Sequence, residues 1–127
     1  MSNQTRRVAI LVDDMFFAAK INAAALECGS QIHRIRSQQH LEELATEPPV
    51  VVIIDLNSDR LNPLEAISFL KSQIALASVP IVGFVSHVQT ELIRQAQEAG
   101  CDHVIARSAF SQLLPRIVAG DLAPLQK

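Results

Sequence analysis

Short apolar runs alternate with segments of helical periodicity along the whole of this 127-residue chain. The runs are rich in β-branched residues and bounded by polar residues, so we predict strands at 8–12, 31–36, 50–54, 81–85 and 104–106. Helices are predicted between and after them, because apolar side chains recur there at helical spacing. Connections that contain a helix make successive strands parallel, with right-handed crossovers. The pattern therefore predicts an α/β fold with a doubly wound five-stranded parallel sheet.

Local signals predict where several helices begin and end. Ser37 is a good N-cap for a short second helix, and Pro63 suits the first turn of the third helix, whose apolar face is predicted to run to Ile74. The last helix is predicted to be capped by Ser108 or Ser111.

The composition is that of one globular domain, with 49% apolar and 19% charged residues. We assign residues 1–127 to a single domain with a core from about 6 to 120 and a frayed tail over 121–127. Pro115 is predicted to lie early in the last helix, where a missing N–H costs least.

The net charge of −2 gives no electrostatic reason to expect nucleic acid or an anionic membrane as a partner. We recognise no signal peptide and no apolar run long enough to span a membrane, which indicates a cytoplasmic protein. Cys28 and Cys101 are predicted to be reduced, partly buried thiols, with a single disulfide as the alternative.

Three acids stand at the ends of two of the most apolar strands. Asp13 and Asp14 follow the first strand, and Asp55 follows the third. If these strands are neighbours, the three carboxylates meet at the edge of the sheet where ligands bind in such folds, and they repel one another unless a cation lies among them. Oxygen ligands suit Mg²⁺ or Mn²⁺, with the backbone carbonyl of Asn57 as a further ligand. The alternative is that these acids only cap helices or solubilise loops.

The sequences around the acids, Leu-Val-Asp-Asp at 11–14 and Ile-Ile-Asp-Leu-Asn at 53–57, resemble the receiver domains of two-component response regulators. The resemblance extends from about residue 8 to residue 119. It includes a proline before the fourth strand, an Ala-Gly pair before the fifth and a phenylalanine soon after it: Pro80, Ala99-Gly100 and Phe110.

This resemblance implies the strand order 2-1-3-4-5 of a flavodoxin-like receiver fold. It also implies that Asp55 is the phosphoacceptor and that Asp13 and Asp14 hold Mg²⁺. The phosphoryl donor in this family is typically a histidine kinase, a phosphotransfer protein or a small acyl phosphate.

The chain departs from the receiver pattern at three positions. Val85 stands where receivers carry Thr or Ser, Arg107 where they carry Lys, and Val104 where many carry Tyr or Phe. Ser86 could supply the missing hydroxyl only if the end of the strand bulges, because one step along a strand turns the side chain to the other face. The usual coupling between a hydroxyl and an aromatic ring therefore cannot operate unchanged.

Arg107 keeps the positive charge but differs from Lys in its planar, bidentate geometry. It either binds the phosphoryl group in a modified geometry, pairs with Asp55 and holds the site in one state, or is a solvated surface residue. The positions of Asn57 and His87 tune reaction rates in the family, although His87 could also be an ordinary loop residue. Phe16 is expected to be exposed beside the acids or to add to the core.

Two hypotheses follow. In the first, the chain is a stand-alone receiver, not an enzyme in its own right, that accepts a phosphoryl group on Asp55 with Mg²⁺ and acts through a partner protein or by dimerising. In the second, it is a pseudo-receiver, a protein-interaction module that works without phosphorylation. A flavodoxin-like cofactor binder is disfavoured, because no Gly-rich or Ser/Thr-rich phosphate loop follows the first strand and the acids there would repel a phosphate.

Overall fold

Strands and helices alternate in a computed structural model that describes residues 6–86 and 89–126. The strands are β1 Arg6–Leu11, β2 Ser30–Arg34, β3 Val51–Asp55, β4 Ile81–Val85 and β5 His103–Ala106. The helices are α1 Met15–Glu27, α2 Gln38–Glu43, α3 Pro63–Ser72, α4 Thr90–Ala99 and α5 Arg107–Val118. The strands pair in parallel in the order β2-β1-β3-β4-β5. The predicted fold class and strand order are confirmed.

The sheet separates two apolar layers. Helices α1 and α5 pack on one face, and α2, α3 and α4 pack on the other. Strand β3 lies at the centre of the sheet, and all five of its residues are buried. Successive side chains alternate between the two layers, with Ile53 on the α1/α5 face and Ile54 on the opposite face. This central position explains why the run at 50–54 that leads to Asp55 is wholly apolar.

The predicted starts of two helices are confirmed. The side chain of Ser37 accepts a hydrogen bond from the His40 N–H and caps α2. Helix α3 begins at Pro63, with Asn62 as its N-cap. The predicted apolar face running to Ile74 is wrong, because α3 ends at Ser72 and Ile74 is 98% exposed. The backbone turns to an extended conformation after the helix and takes that side chain away from the sheet.

The predicted start of α5 is also wrong. The helix begins at Arg107, directly after β5, so neither Ser108 nor Ser111 is its N-cap. Pro115 consequently lies in the interior of the helix and not in its first turn. Because the helix follows β5 without a connecting loop, Arg107 lies in its first turn.

The segment after α5 is more ordered than predicted. Leu122 is buried in the α1/α5 layer, and Ala123–Leu125 forms a 3-10 helix. Asp121 accepts hydrogen bonds from the Arg116 side chain and from the Ala123 N–H. The prediction of a frayed tail is therefore wrong for residues 122–125.

Both cysteines are free thiols, as predicted, with Cys101 buried and Cys28 half-buried. Within residues 6–86 and 89–126, the structure contains no helix that is both long enough and apolar enough to span a membrane.

Candidate functional site

The three acids singled out in the sequence lie at one edge of the sheet. Asp55 is the last residue of β3, and Asp13 and Asp14 follow β1. Strands β1 and β3 are paired, with Leu11 opposite Ile54, so their carboxyl ends are adjacent. The expected convergence of Asp13, Asp14 and Asp55 at one edge therefore agrees with the topology.

Asp55 is nearly enclosed by protein, with only 7% of its surface exposed. Its Oδ1 accepts a hydrogen bond of 2.9 Å from the Asn57 N–H. Burial raises the pKa of Asp55, and the charges of Asp13 and Asp14 raise it further, whereas the Asn57 N–H and the Arg107 charge oppose the rise. The ionised form of this carboxylate is thus held in an unfavourable environment.

Asp13 is bonded to the loop that follows β3. Its Oδ2 accepts hydrogen bonds from the Ser58 hydroxyl at 2.8 Å, the Asp59 N–H at 2.9 Å and the Arg60 N–H at 3.0 Å. Partial burial acts to raise the pKa of Asp13, but these three bonds and the Arg60 charge together lower it. One oxygen of Asp13 is therefore fully used within the protein.

Asp14 caps helix α1. Its Oδ1 accepts hydrogen bonds from the N–H groups of Phe16 at 2.9 Å and Phe17 at 3.1 Å, and its Oδ2 lies 3.1 Å from Nη2 of Arg107. The Phe17 N–H, followed by the Arg107 side chain, lowers the pKa of Asp14. The alternative that these acids cap helices is therefore correct for Asp14.

Arg107 occupies a defined position over an aromatic ring. Its Cζ lies 4.1 Å from the ring centroid of Phe17, within cation–π range, while its Nη2 contacts Asp14. The alternative that Arg107 pairs with Asp55 is wrong, because its ion-pair partner in the structure is Asp14. The alternative of a solvated surface side chain is also wrong, because the side chain is only 33% exposed and has two partners.

The Asn57 side chain joins the loop after β3 to the loop after β4. Its Oδ1 accepts a hydrogen bond of 3.0 Å from the Ser86 N–H, and its Nδ2 donates one of 2.7 Å to Oε1 of Gln89. Gln89 is the N-cap residue of α4. A series of hydrogen bonds therefore runs from Asp55 through Asn57 to the start of α4.

Two of the positions that depart from the receiver pattern, Val85 and Val104, lie on the face of the sheet that packs against α2, α3 and α4. Val85 is 3% exposed and packs in the α2/α3/α4 layer, and Val104 packs against the same layer. Phe84, which is paired with Asp55 across the strands, lies in the α1/α5 layer. Ser86 is exposed and follows a strand whose pairing is regular through Val85. The proposed role of His87 lies outside the described residues.

Three phenylalanine rings form a cluster in the α1/α5 layer. The ring centroids of Phe84 and Phe110 are 4.7 Å apart, and Phe17 lies 5.1 Å and 5.7 Å from them. Phe16, by contrast, is 90% exposed next to Asp14, as one of the two alternatives predicted. The cluster joins α1, β4 and α5 and fixes the ring on which the arginine stacks.

Several residues of the site were not found by sequence reasoning. Ser58, Arg60 and Gln89 were not singled out, because each acts through a partner more than 30 positions away in the chain. Phe17, on which Arg107 stacks, was not assigned to the site either. The Ser-Asp-Arg run directly after Asn57 is a weak signal that could have indicated a loop able to bind a carboxylate.

The acids do not form a ready-made metal site. Among the described residues, no group of three or more His, Cys, Asp or Glu side chains is arranged to hold a metal ion. The oxygen donors are of the type that Mg²⁺ prefers, but Asp13 and Asp14 direct oxygens at N–H, hydroxyl and guanidinium groups of the protein. These bonds compete with a cation for the oxygens of Asp13 and Asp14.

Comparison with known proteins gives a consistent result at the level of structure. No protein-family model matches the chain, and no curated protein matches its sequence. A response regulator from Hahella chejuensis superposes with a TM-score of 0.81 at 19% identity, covering 97% of this chain and 99% of that one. The chemotaxis protein CheY4 of Vibrio cholerae gives a TM-score of 0.79 at 13% identity, covering 97% and 100%.

The phosphorylated cyanobacterial phytochrome response regulator RcpA is similar as well, with a TM-score of 0.75 at 17% identity over 96% of this chain and 94% of that one. Identities this low establish the fold. The chain therefore has the fold of a response-regulator receiver domain, as its sequence motifs implied.

Proposed function

We propose that this protein is a receiver domain of two-component signalling that accepts a phosphoryl group on Asp55 together with a divalent cation, Mg²⁺ or Mn²⁺. The observation that carries the proposal is the position of Asp55. It ends the central strand, it is buried, and Asp13 and Asp14 are close enough to raise its pKa. A clustered set of carboxylates at the carboxyl edge of a parallel sheet is costly to maintain, which supports a functional role.

The chemistry is a nucleophilic displacement at phosphorus. A carboxylate oxygen of Asp55 forms the new P–O bond, and the bond from phosphorus to the donor, a histidine nitrogen or an acyl oxygen, breaks with its electron pair going to the donor. Catalysis of such a transfer depends mainly on positioning and on charge neutralisation. Asp55 is positioned by its strand and by the Asn57 N–H.

The residues proposed to hold the cation are Asp13, Asp14, Asp55 and the backbone carbonyl of Asn57. A bound divalent cation would neutralise charge among the carboxylates and the phosphoryl oxygens. The contacts of Asp13 with the β3–α3 loop and of Asp14 with Arg107 compete with this role. We therefore propose a resting site that is closed by internal bonds and that opens when the cation and the phosphoryl group bind.

A second function, protein interaction without phosphorylation, is favoured by one specific observation. Arg107 already supplies a positive charge to the acid cluster, stacked on Phe17 and paired with Asp14. This contact offsets part of the negative charge of the cluster without a cation. Val85 and Val104 also lack the hydroxyl and the aromatic ring through which many receivers transmit the phosphorylated state.

The partners proposed for the first function are a histidine kinase or a phosphotransfer protein on the input side and an unidentified downstream protein on the output side. Homodimer formation is an alternative output. The cytoplasmic location expected from the sequence belongs to the same proposal, as does the expectation that the protein is not an enzyme in its own right.

The two functions are separated by supplying a phosphoryl donor. Acetyl phosphate or beryllofluoride with Mg²⁺ is added to wild-type protein, and modification of Asp55 is followed by mass spectrometry or by NMR. The Asp55→Asn variant is the control, and Arg107→Lys tests whether the family residue restores reactivity. A modification that occurs in wild type and is absent from Asp55→Asn supports the proposal that Asp55 accepts the phosphoryl group. If neither wild type nor Arg107→Lys responds, phosphoacceptance is wrong and the interaction module is the better description.

A further inference from the structure

The start of helix α4 is held by an unusual contact. Gln89 is its N-cap residue, yet among the described residues no side chain caps the helix. The Gln89 side chain instead accepts the hydrogen bond of 2.7 Å from Nδ2 of Asn57. A helix without a side-chain cap lacks a hydrogen bond that would stabilise its first turn. The Asn57 contact therefore holds the first turn of α4 from outside the helix.

Helix α4 has fewer fully buried residues than α1 and α5, although Leu92, Ile93 and Ala99 also pack against the α2/α3/α4 layer. Its one buried residue is Ala96, whereas α1 and α5 each bury four residues. Elements with few buried apolar contacts open at lower free energy than the rest of a domain. A change at the start of α4 can therefore move or loosen this helix without unfolding the sheet.

The same asparagine is bonded to the acid. The Asn57 N–H donates to Oδ1 of Asp55 at 2.9 Å, while its Oδ1 accepts from the Ser86 N–H at 3.0 Å. Removal of this Asp55 oxygen leaves the Asn57 N–H without its acceptor, and the coupling requires that the backbone of Asn57 then moves. Such a movement would act on both of its side-chain bonds, at 2.7 Å and 3.0 Å, at the same time.

The coupling between a hydroxyl and an aromatic ring, which many receivers use to transmit the state of the acid, cannot operate in this chain. Val85 has no hydroxyl and is packed in the α2/α3/α4 layer, away from the face on which Phe84 and Asp55 are paired. Val104 has no ring that could follow a hydroxyl. The bonded series through Asn57, by contrast, reaches both the end of β4 and the start of α4.

We propose that the Asn57 side chain couples the state of Asp55 to the N-terminal turn of helix α4 through its paired bonds to Ser86 and Gln89. The coupling makes α4 the element that reports on the acid. The proposal rests on the proposed function for its biological use, but the coupling itself is a property of the folded chain. Asn57 is a positioning residue here, and it acts through Gln89.

The coupling is tested without a phosphoryl donor. Backbone amide shifts are recorded by NMR for wild type, Asp55→Ala, Asn57→Ala and the double variant. Asp55→Ala removes the oxygen that accepts the Asn57 N–H. In a background with Asn57 intact, Asp55→Ala is expected to change the chemical shifts of the amides in the first turn of α4. In the Asn57→Ala background, the same substitution is expected to change them by no more than the noise level.

A matched variant controls for general effects of removing an amide side chain. Gln97 lies on the exposed face of α4, and Gln97→Ala is expected to leave the response of the first turn to Asp55→Ala unchanged. Gln89→Ala is expected to abolish the response of the first turn of α4 to Asp55→Ala, as Asn57→Ala is. A response that persists in Asn57→Ala and in Gln89→Ala, or that is absent in the wild-type background, would overturn the coupling.

Beryllofluoride with Mg²⁺ then separates this proposal from the proposed function. If the Asp55→Ala response passes through Asn57 but beryllofluoride produces no shift, the coupling stands and phosphoacceptance fails. If beryllofluoride shifts Asp55 and α4 alike in Asn57→Ala, phosphoacceptance stands and the coupling fails.

Discussion

The buried acid gives a pH dependence whose sign is set by the structure. Asp55 is 7% exposed, and burial followed by the charges of Asp13 and Asp14 raises its pKa above the ordinary value of 3.8. The folded state therefore binds this proton more tightly than the unfolded state does. Stability consequently falls as the pH rises from about the ordinary pKa to the raised one, and it then levels off.

We expect Asp55→Asn to remove this loss of stability. The limiting slope for one proton is about 1.4 kcal/mol per pH unit, and the total gain is about 1.4 kcal/mol for each unit by which the folded pKa exceeds the unfolded one. The advantage of the variant over wild type should be smallest below about pH 4, grow as the pH rises and become constant above the raised pKa of Asp55.

The assay is urea unfolding followed by circular dichroism at a series of pH values, with the difference between the two proteins as the measured quantity. Asp121→Asn is the matched control. Arg116 and the Ala123 N–H lower the pKa of Asp121, so its replacement is expected to destabilise the protein at neutral pH. If Asp55→Asn is no more stable relative to wild type at pH 7 than at pH 4, the inference of a destabilised buried carboxylate is wrong.

Two further perturbations test the surroundings of the acid. Phe84→Ala is expected to lower the free energy of unfolding by about 3–5 kcal/mol, since the ring is fully buried, whereas Ile74→Ala, at an exposed position, should change it by less than about 0.5 kcal/mol in the same urea assay. Arg107→Met is expected to tighten Mg²⁺ binding in an NMR titration, because it frees Oδ2 of Asp14. The control is Arg116→Met in the same helix, which leaves Asp14 paired and is expected to leave Mg²⁺ binding unchanged. Unchanged or weaker binding in Arg107→Met would show that this ion pair does not compete with the cation.

The sequence was most informative where local pattern and burial coincide. Strands β3 and β4 are continuous apolar runs because both of their faces are covered, and β4 was predicted with its observed bounds. The cap of α2 was readable because a cap bond joins neighbours in the chain, and the start of α3 was readable because proline suits the first turn of a helix. The end of α3 and the start of α5 were mispredicted, because apolar Ile74 and capping serines fit local rules that the surrounding structure overrides.

The amino-acid sequence by itself determined the alternating architecture, the parallel sheet and the presence of three acids at one edge, since strand periodicity and connection length limit the topology. Only the tertiary structure decided which partner each acid takes. Asp14 meets Arg107 across 93 positions, and Asn57 meets Gln89 across 32. Such contacts depend on the close packing of side chains from distant segments, and no local pattern records them. The bonds that engage Asp13 and Asp14 within the protein are of this kind.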